Sequence, residues 1–276
     1  MAATAYQIQY RQEFILGFEQ RQALVRDTVT TEVEIKGNQA TFLVADSGSA
    51  TAVTRGSNGL IPGRADNLTS KTVTLVEWHD IPKKTSFNIF AGQGDQRRLL
   101  QETSMSVINR QIDQDLITEL NTATQDTGAA ATASLALVLW GTTILGNNAV
   151  PLDGNISALI TPAFYTYLMQ TKEFTNVDYV NNKPFTSQQT MFRWAGVNFI
   201  VHPNLPGKGT VAEKCFIYHK SAIGHAINKD GIESVPGYNE EQDYSYARCS
   251  VFMGSKVLQN SGIVVINHDG SQFAAL

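Results

Sequence analysis

Charge is what this 276-residue sequence is short of. Asp, Glu, Lys and Arg make up 17% of it, against about 25% in ordinary soluble domains. Thr, Ser, Asn, Gln and Gly take their place. That composition is unusual for a monomeric enzyme and suits a chain whose surface is covered by polar contacts with copies of itself. Cysteine is scarcer still. The only two, Cys215 and Cys249, lie far apart with no CxxC pair, which excludes a disulfide framework or a paired-thiol zinc site and leaves two isolated buried thiols as the expectation. Long apolar runs are missing as well. The most apolar stretch, Ser134 to Leu145, is interrupted by Gly141, Thr142 and Thr143 and falls short of the roughly 20 residues that span a bilayer. A basic excess is absent: net charge is −4 and the pI about 5.7, which argues against a dedicated nucleic-acid binder. The opening MAATAYQIQYRQ has no charged segment leading into an apolar core, so no secretory leader is expected, and the reading is a soluble protein with no membrane partner.

What is present is one long helix. Gln96 to Ala123, QRRLLQETSMSVINRQIDQDLITELNTA, has no Gly or Pro. Leu100, Ile108, Ile112, Leu116 and Leu120 form a stripe widened by Leu99, Val107 and Ile117. Roughly 24 helical residues span about 36 Å. Glu102, Asn109, Asp113 and Glu119 fall off the stripe and are expected to face water.

Before it, Ile8 to Val29 reads as an amphipathic helix carrying Phe14, Ile15, Phe18 and Val25 on one side. Val33 and Ile35 alternate with acidic and basic residues as in a strand, and Gly37-Asn38 makes a turn into a second strand, Ala40 to Val44. Ser47 to Ser70 is small and polar, unable to build a core of its own. Thr72 to Trp78 (TVTLVEW) and Thr85 to Phe90 (TSFNIF) read as strands on either side of Pro82, which belongs at an edge or bulge. Ala40 to Phe90 is therefore expected to be a long two-stranded arm with a flexible tip around Gly56 to Lys71. A lone hairpin is only marginally stable in water, so an arm of this length needs a surface to lie on, and a neighbouring subunit is the natural one. After the long helix come a low-complexity link at Asp126 to Ala133 and a buried helix at Leu135 to Leu145. A strand follows at Ile156 to Thr161, then a short helix opened by Pro162, with irregular chain over Thr171 to Thr190. Met191 to Gly196 and Val197 to His202 read as a hairpin, Cys215 to His219 as a strand, Lys220 to Ile227 as a short helix, and Gly231 to Pro236, Tyr246 to Met253 and Gly262 to Asn267 as strands. The pattern is α+β.

No catalytic constellation stands out. Gly92 and Gly94 sit between a strand and a helix in AGQGDQR, the setting of a dinucleotide-binding turn, but Arg97 occupies the third small-residue position and no second βαβ unit follows. A joint between arm and helix, with Asp95 capping the helix, is the stronger reading. His79, His202, His219, His225 and His268 show no paired ligand spacing. Asp115 and Glu119, one turn apart, have the spacing to share a cation, though solvated carboxylates or partners for another subunit's Arg fit better. Ser47, Ser49 and Ser221 lack a G-x-S-x-G elbow. No catalytic, cofactor or metal residue is assigned and no enzyme activity is expected. Acidic groups gather in Asp230 to Asp243, whereas Arg55, Arg64, Lys71, Lys83 and Lys84 give the arm a basic character, and opposite charges of this kind steer self-association.

The ordered set of segments FEQRQALVRDTVTTEVEIKGNQATFLVAD, TVTLVEWHDIPKKTSFN, INRQIDQDLITEL, RWAGVNFIVHPNLP, CFIYHKSAIGHAI and SVFMGSKVLQNSGIVVINHDG resembles the major capsid proteins of tailed bacteriophages, with the Hong Kong 97-like fold. The resemblance covers essentially the whole chain. It implies an N-terminal arm at 1–39, an extended β-hairpin loop at 40–95, a peripheral domain with a long spine helix at 96–133 and 240–276, and an axial domain at 134–239. It also implies pentamers and hexamers closing into an icosahedral virus head around double-stranded DNA, which is touched by non-specific contact. The implied partners are a portal and a scaffolding or decoration protein, with assembly in the host cytoplasm and residence in the virion. No charged coiled coil precedes the arm, so no fused scaffold is indicated, and the Lys and Asn of the family's covalent cross-link have no matched position. The alternatives are an encapsulin-like compartment shell and, more remotely, a nucleotide-binding enzyme using Gly92, Gly94 and the histidines.

Overall fold

A computed structural model describes residues 20–273 apart from 21, 34, 36, 48–49, 65–66, 93–94, 176–189 and 229–230, with Arg97 described by its backbone. The first half of the chain contains β1 (Thr30–Glu32), β2 (Gln39–Ala45), β3 (Leu68–Thr74), β4 (Val76–Asp80), β5 (Lys83–Thr85), α1 (Ser86–Ala91), α2 (Gln96–Leu120) and α3 (Leu135–Asn147). The second half adds β6 (Ile156–Ile160), α4 (Pro162–Met169), α5 (Lys172–Thr175), β7 (Met191–Trp194), β8 (Val197–Val201), β9 (Glu213–His219), β10 (Ile223–Ile227), β11 (Glu233–Asn239), β12 (Tyr244–Val257) and β13 (Ile263–His268). These elements form two compact units, one built on Glu77–Ile112 and 231–252, the other on Leu24–Val76, 113–228 and 253–273. Helix α2 and strand β12 each contribute to both.

The larger unit is built on a five-stranded sheet in the order β13-β9-β6-β8-β7, in which only β6 and β8 run parallel. Every residue of β6 is buried, as a strand covered on both faces requires. Helix α3 lies across β13 and β9, and Gly141 lets it approach, because a Cβ there would stand 2.9 Å from Ile217 Cδ1. Thr161 caps α4 by accepting from Phe164 N–H at 3.1 Å, with Pro162 at the first turn. The β7–β8 turn places Ala195 at φ 50 and Gly196 at φ 78, the paired left-handed geometry that matches strand twist in a two-residue hairpin. Tyr165, Phe174, Phe192, Trp194 and Phe199 pack ring on ring beside it. Strand β10 joins β1 in parallel and the second half of β12 in antiparallel register.

In the smaller unit β11 and the first half of β12 form an antiparallel hairpin, Glu233 opposite Ser250 through Asn239 opposite Tyr244. Strand β5 pairs the other side of β12 over Tyr244 to Tyr246. The first seventeen residues of α2 also belong here, and Asp95 caps that helix by accepting from Arg98 N–H at 3.1 Å.

Several expectations need correction. The long helix runs over Gln96–Leu120 and buries Leu100, Ile108, Ile112, Leu116, Ile117 and Leu120 as the stripe requires, but Asp113 is fully buried and does not face water. Ser86–Ala91 is a helix and not a strand, because Thr85 presents its hydroxyl to Asn88 N–H at 3.3 Å and a cap of this type starts a helix. The expected arm strand TVTLVEW breaks at Leu75, so the paired arm ends at Thr74 and stops well short of Phe90. Lys220–Ala222 is a single 3-10 turn and Ile223–Ile227 a fully buried strand, where a helix was expected. Of the expected helix over Ile8 to Val29, only the 3-10 turn at Arg26–Thr28 forms among the described residues, and most of that stretch lies outside them, as does Gly94. Helix α3 is half-covered: Leu139 and Trp140 are exposed.

Candidate assembly surfaces and buried charge sites

The residues with chemical potential do not converge. Gly92 terminates α1, its N–H donating to Asn88 O at 3.0 Å, and the Asp95 carboxylate occupies the start of α2, where a phosphate would have to sit. Each histidine has separate company. His79 pairs with Glu77 at 2.7 Å. His225 Nδ1 lies 3.0 Å from the hydroxyl of Ser255, which donates to Asp115 at 2.6 Å. Because the Ser255 proton goes to Asp115, His225 must donate from Nδ1, and burial, with the Arg26 charge second, pushes its pKa down to about 4. Asp115 itself is raised, chiefly by burial, and Glu119 faces Lys256 at 3.5 Å. The two carboxylates are thus engaged by β12 separately. Among the described residues, no group of three or more His, Cys, Asp or Glu has the arrangement of a metal site. Cys215 and Cys249 are buried free thiols, and burial pushes Cys215 up to about 12.

One arrangement superficially suggests nucleophilic chemistry. Ser221 Oγ is 2.8 Å from His219 Nδ1, and His219 Nε2 is 3.2 Å from Asp153 Oδ1. Nothing in the sequence hinted at it, since Asp153 is 66 residues from His219. Ser221 N–H also donates to Nδ1 at 3.3 Å, so that lone pair caps the 3-10 turn and is not free to take a proton from the hydroxyl. The arrangement works as a cap.

Two fully buried carboxylates tie distant segments together. Asp113 accepts from Leu24 N–H at 2.9 Å and Val25 N–H at 3.1 Å. His202 Nδ1 accepts from Asn204 N–H at 3.2 Å, so its proton sits on Nε2, 3.4 Å from Asp113 and outside hydrogen-bond geometry. One side chain of α2 thus holds the 3-10 turn at Arg26–Thr28 and the loop after β8. Glu213 accepts from Gly209 N–H at 3.1 Å and from the Thr161 hydroxyl, and stands 3.3 Å from His268 Nδ1. That pair locks the loop before β9 to the end of β13.

The surface carries the other features. The arm pairs β2 with β3 from Gln39 opposite Thr74 to Ala45 opposite Leu68. Its root is buried, with Ala40 and Val73 against Ala226 and Ile35, Phe42 and Leu75 around them. Beyond the root it is bare: Leu43 is 75% exposed, Leu60 67% and Ile61 65%. In the smaller unit Phe87 and Phe90 stand exposed on one face of α1. No helix among the described residues is long and apolar enough to cross a membrane.

A long spine helix, a projecting two-stranded arm and a mixed sheet flanked by short helices together make the Hong Kong 97-like fold of viral shell proteins. A chain from Mycobacterium phage Che8 superposes with a TM-score of 0.79 at 15% identity, over 97% of this chain and 98% of that one. The capsid of a native GTA particle gives 0.74 at 13%, over 97% and 96%, and a chain from Gordonia phage Cozz 0.73 at 13%, over 96% and 91%. No curated protein sequence matches the chain. The phage capsid protein family matches residues 2–270, and the chain belongs to that family.

Proposed function

We propose that this chain is the shell-forming subunit of a tailed-phage head, assembling into pentamers and hexamers that close into an icosahedral shell around double-stranded DNA. The arm carries this reading. It is a two-stranded ribbon rooted by Ala40 and Val73 and bare beyond them, with Leu43, Leu60 and Ile61 in solvent. Such a ribbon is marginal alone, and exposed apolar groups in this setting mark a contact surface. A neighbouring copy supplies the cover. Within the same reading, 1–39 is the N-terminal arm, 40–95 the extended loop, 96–133 and 240–276 the peripheral domain, and 134–239 the axial domain. A portal and a scaffolding or decoration protein complete the head, which forms in the host cytoplasm. The net charge of −4 suits a wall that holds DNA by non-specific contact without gripping it, since affinity for DNA scales with phosphate contacts. The chain has no catalytic role. Its polar clusters act as caps and buried ties.

Deleting Gly56–Arg64 is expected to leave a soluble, folded subunit that forms no closed shells by electron microscopy. Undiminished assembly would remove the arm from the intersubunit contacts. Shells that copurify with a cargo protein, and never with a portal, would support the encapsulin-like compartment instead.

A further inference from the structure

A cavity of about 430 Å³ opens on the five-stranded sheet of the larger unit, within the range of small-molecule sites, about 300–1,000 Å³. It is lined by Ser157 of β6 and Asn198 of β8, neighbours across the parallel pair. Ser157 is 4% exposed, and its hydroxyl makes no hydrogen bond among the described residues. Buried polar groups are normally paired, and the positions flanking Ser157 on its strand are Ile156 and Ala158. A hydroxyl set here without a partner leaves the cavity one polar group short. Met191 and Ile200, a cross-strand pair of β7 and β8, line it with apolar surface, and Met191 is half exposed.

The other polar groups around the cavity are held in place. Asn198 donates from Nδ2 to Gly154 O at 2.9 Å, and Asn155 from Nδ2 to Asp153 at 2.8 Å, so each keeps its Oδ1 and a second amide N–H for a ligand. The Lys220 N–H donates to Asn155 O at 3.0 Å and its carbonyl accepts from the Thr30 hydroxyl at 3.1 Å, which fixes the root of the Lys220 side chain at the rim. The Thr28 hydroxyl bonds to that of Tyr218 and anchors the 3-10 turn that brings Asp27 to the rim. Asp27 and Lys220 are exposed, and neither side chain has an ion-pair partner among the described residues. This set selects by charge and by hydrogen bonding. An anion would meet Asp27 and a cation would meet Lys220. A neutral molecule with adjacent hydroxyls satisfies the acid, the base, the two amides and the Ser157 hydroxyl together, because each of its hydroxyls both donates and accepts.

We propose that this cavity binds a neutral sugar, with its hydroxyls shared among Ser157, Asn155, Asn198, Asp27 and Lys220 and its carbon face against Met191 and Ile200. The site goes beyond the shell reading and does not depend on it. Polar groups already fixed in position keep the ordering cost low, and a few hydrogen bonds to one small ligand give an affinity of about millimolar order. The test is saturation-transfer NMR on the purified full chain, as subunit or shell, with the methyl glycosides of glucose, galactose, mannose and N-acetylglucosamine. Transfer to at least one glycoside is expected. Ser157→Ala should weaken it about three- to tenfold, the share of one hydrogen bond. Lys220→Ala should do the same with an unchanged thermal midpoint. No transfer to any glycoside at about 10 mM, several times the expected dissociation constant, would overturn the proposal. Equal transfer in the parent and both variants would place the sugar elsewhere and overturn it as well. Adenosine monophosphate is the comparator: binding of it in preference to every glycoside would make the site one for a nucleotide and reject the sugar. If Ser157→Ala fails to fold, Lys220→Ala, at an exposed position, decides alone.

Discussion

Replacing Asp113 by alanine should loosen the segment around Leu24 and Val25. The carboxylate is fully buried and takes two consecutive backbone N–H groups, from Leu24 at 2.9 Å and Val25 at 3.1 Å. With alanine there, both donors lose their acceptor, and a buried donor left unsatisfied costs about 1–3 kcal/mol. The two losses share one segment and relax together, so the expected destabilisation is about 3 kcal/mol. For a chain of this size that lowers the thermal midpoint by roughly 6–12 °C. Asp113→Asn keeps one acceptor oxygen and should fall between alanine and the parent. Thermal unfolding of the unassembled subunit, followed by circular dichroism, reads the midpoint. Trypsin cleavage after Arg26 reads local release and should accelerate more than cleavage elsewhere. A further signature is electrostatic. The Asp113 charge raises the pKa of His225 against the larger effect of burial, so Asp113→Ala should move the His225 midpoint still lower. A midpoint of unfolding within about 1 °C of the parent, with unchanged cleavage after Arg26, would refute the clamp, since a buried pair of unpaired donors cannot be that cheap.

Further outcomes follow from the other buried and capped groups. Glu213→Ala should destabilise the subunit by about 1–3 kcal/mol in urea unfolding, the cost of leaving the Gly209 N–H and the Thr161 hydroxyl without their acceptor, and Glu213→Gln by less. Gly270→Ala should destabilise the subunit by about 1–3 kcal/mol, because its Cβ would collide with the Glu213 carboxylate and force that side chain to shift; a melt identical to the parent's would contradict that packing. The Asn155 backbone and side-chain amides, then His219, hold the Asp153 carboxyl down to about 2. Its contribution is therefore complete above the ordinary value of 3.8 and is lost as pH falls towards 2, and carbon-detected NMR should show Asn155→Ala moving the midpoint part of the way back up. His225 is linked to pH with the same sign, at higher pH. Its folded pKa of about 4 lies below the model-peptide value of 6.5, so the unfolded chain binds the proton first and stability declines as pH falls from 6.5 to 4. His225→Leu should flatten that slope, and an unchanged slope would assign it elsewhere.

Sequence periodicity reached the core elements because their signals are local. The four-residue recurrence in α2, the apolar run of Ile156–Ile160 and Pro162 at the head of α4 each specify their element without help from the rest of the chain. Ser86–Ala91 looks like a strand locally because Phe87, Ile89 and Phe90 favour one, and a single Thr85 cap outweighs them. Ile223–Ile227 carries Gly, His and Ala with no period of its own, and its strand is dictated by pairing with β12. Asp113 sits one position off the apolar stripe, and the partners that bury it lie 88 and 89 residues away, beyond the reach of any local pattern. The low charge content and the unsupported arm, by contrast, were visible in composition alone, and both point to a chain that buries its surface against copies of itself.

The central claim is tested most directly by electron microscopy of the purified full-length chain beside the Gly56–Arg64 deletion. Closed isometric shells from the full chain and unassembled, folded subunits from the deletion are the outcome predicted. A full-length chain that stays monomeric at every concentration and salt, with or without phage head partners, would contradict the account.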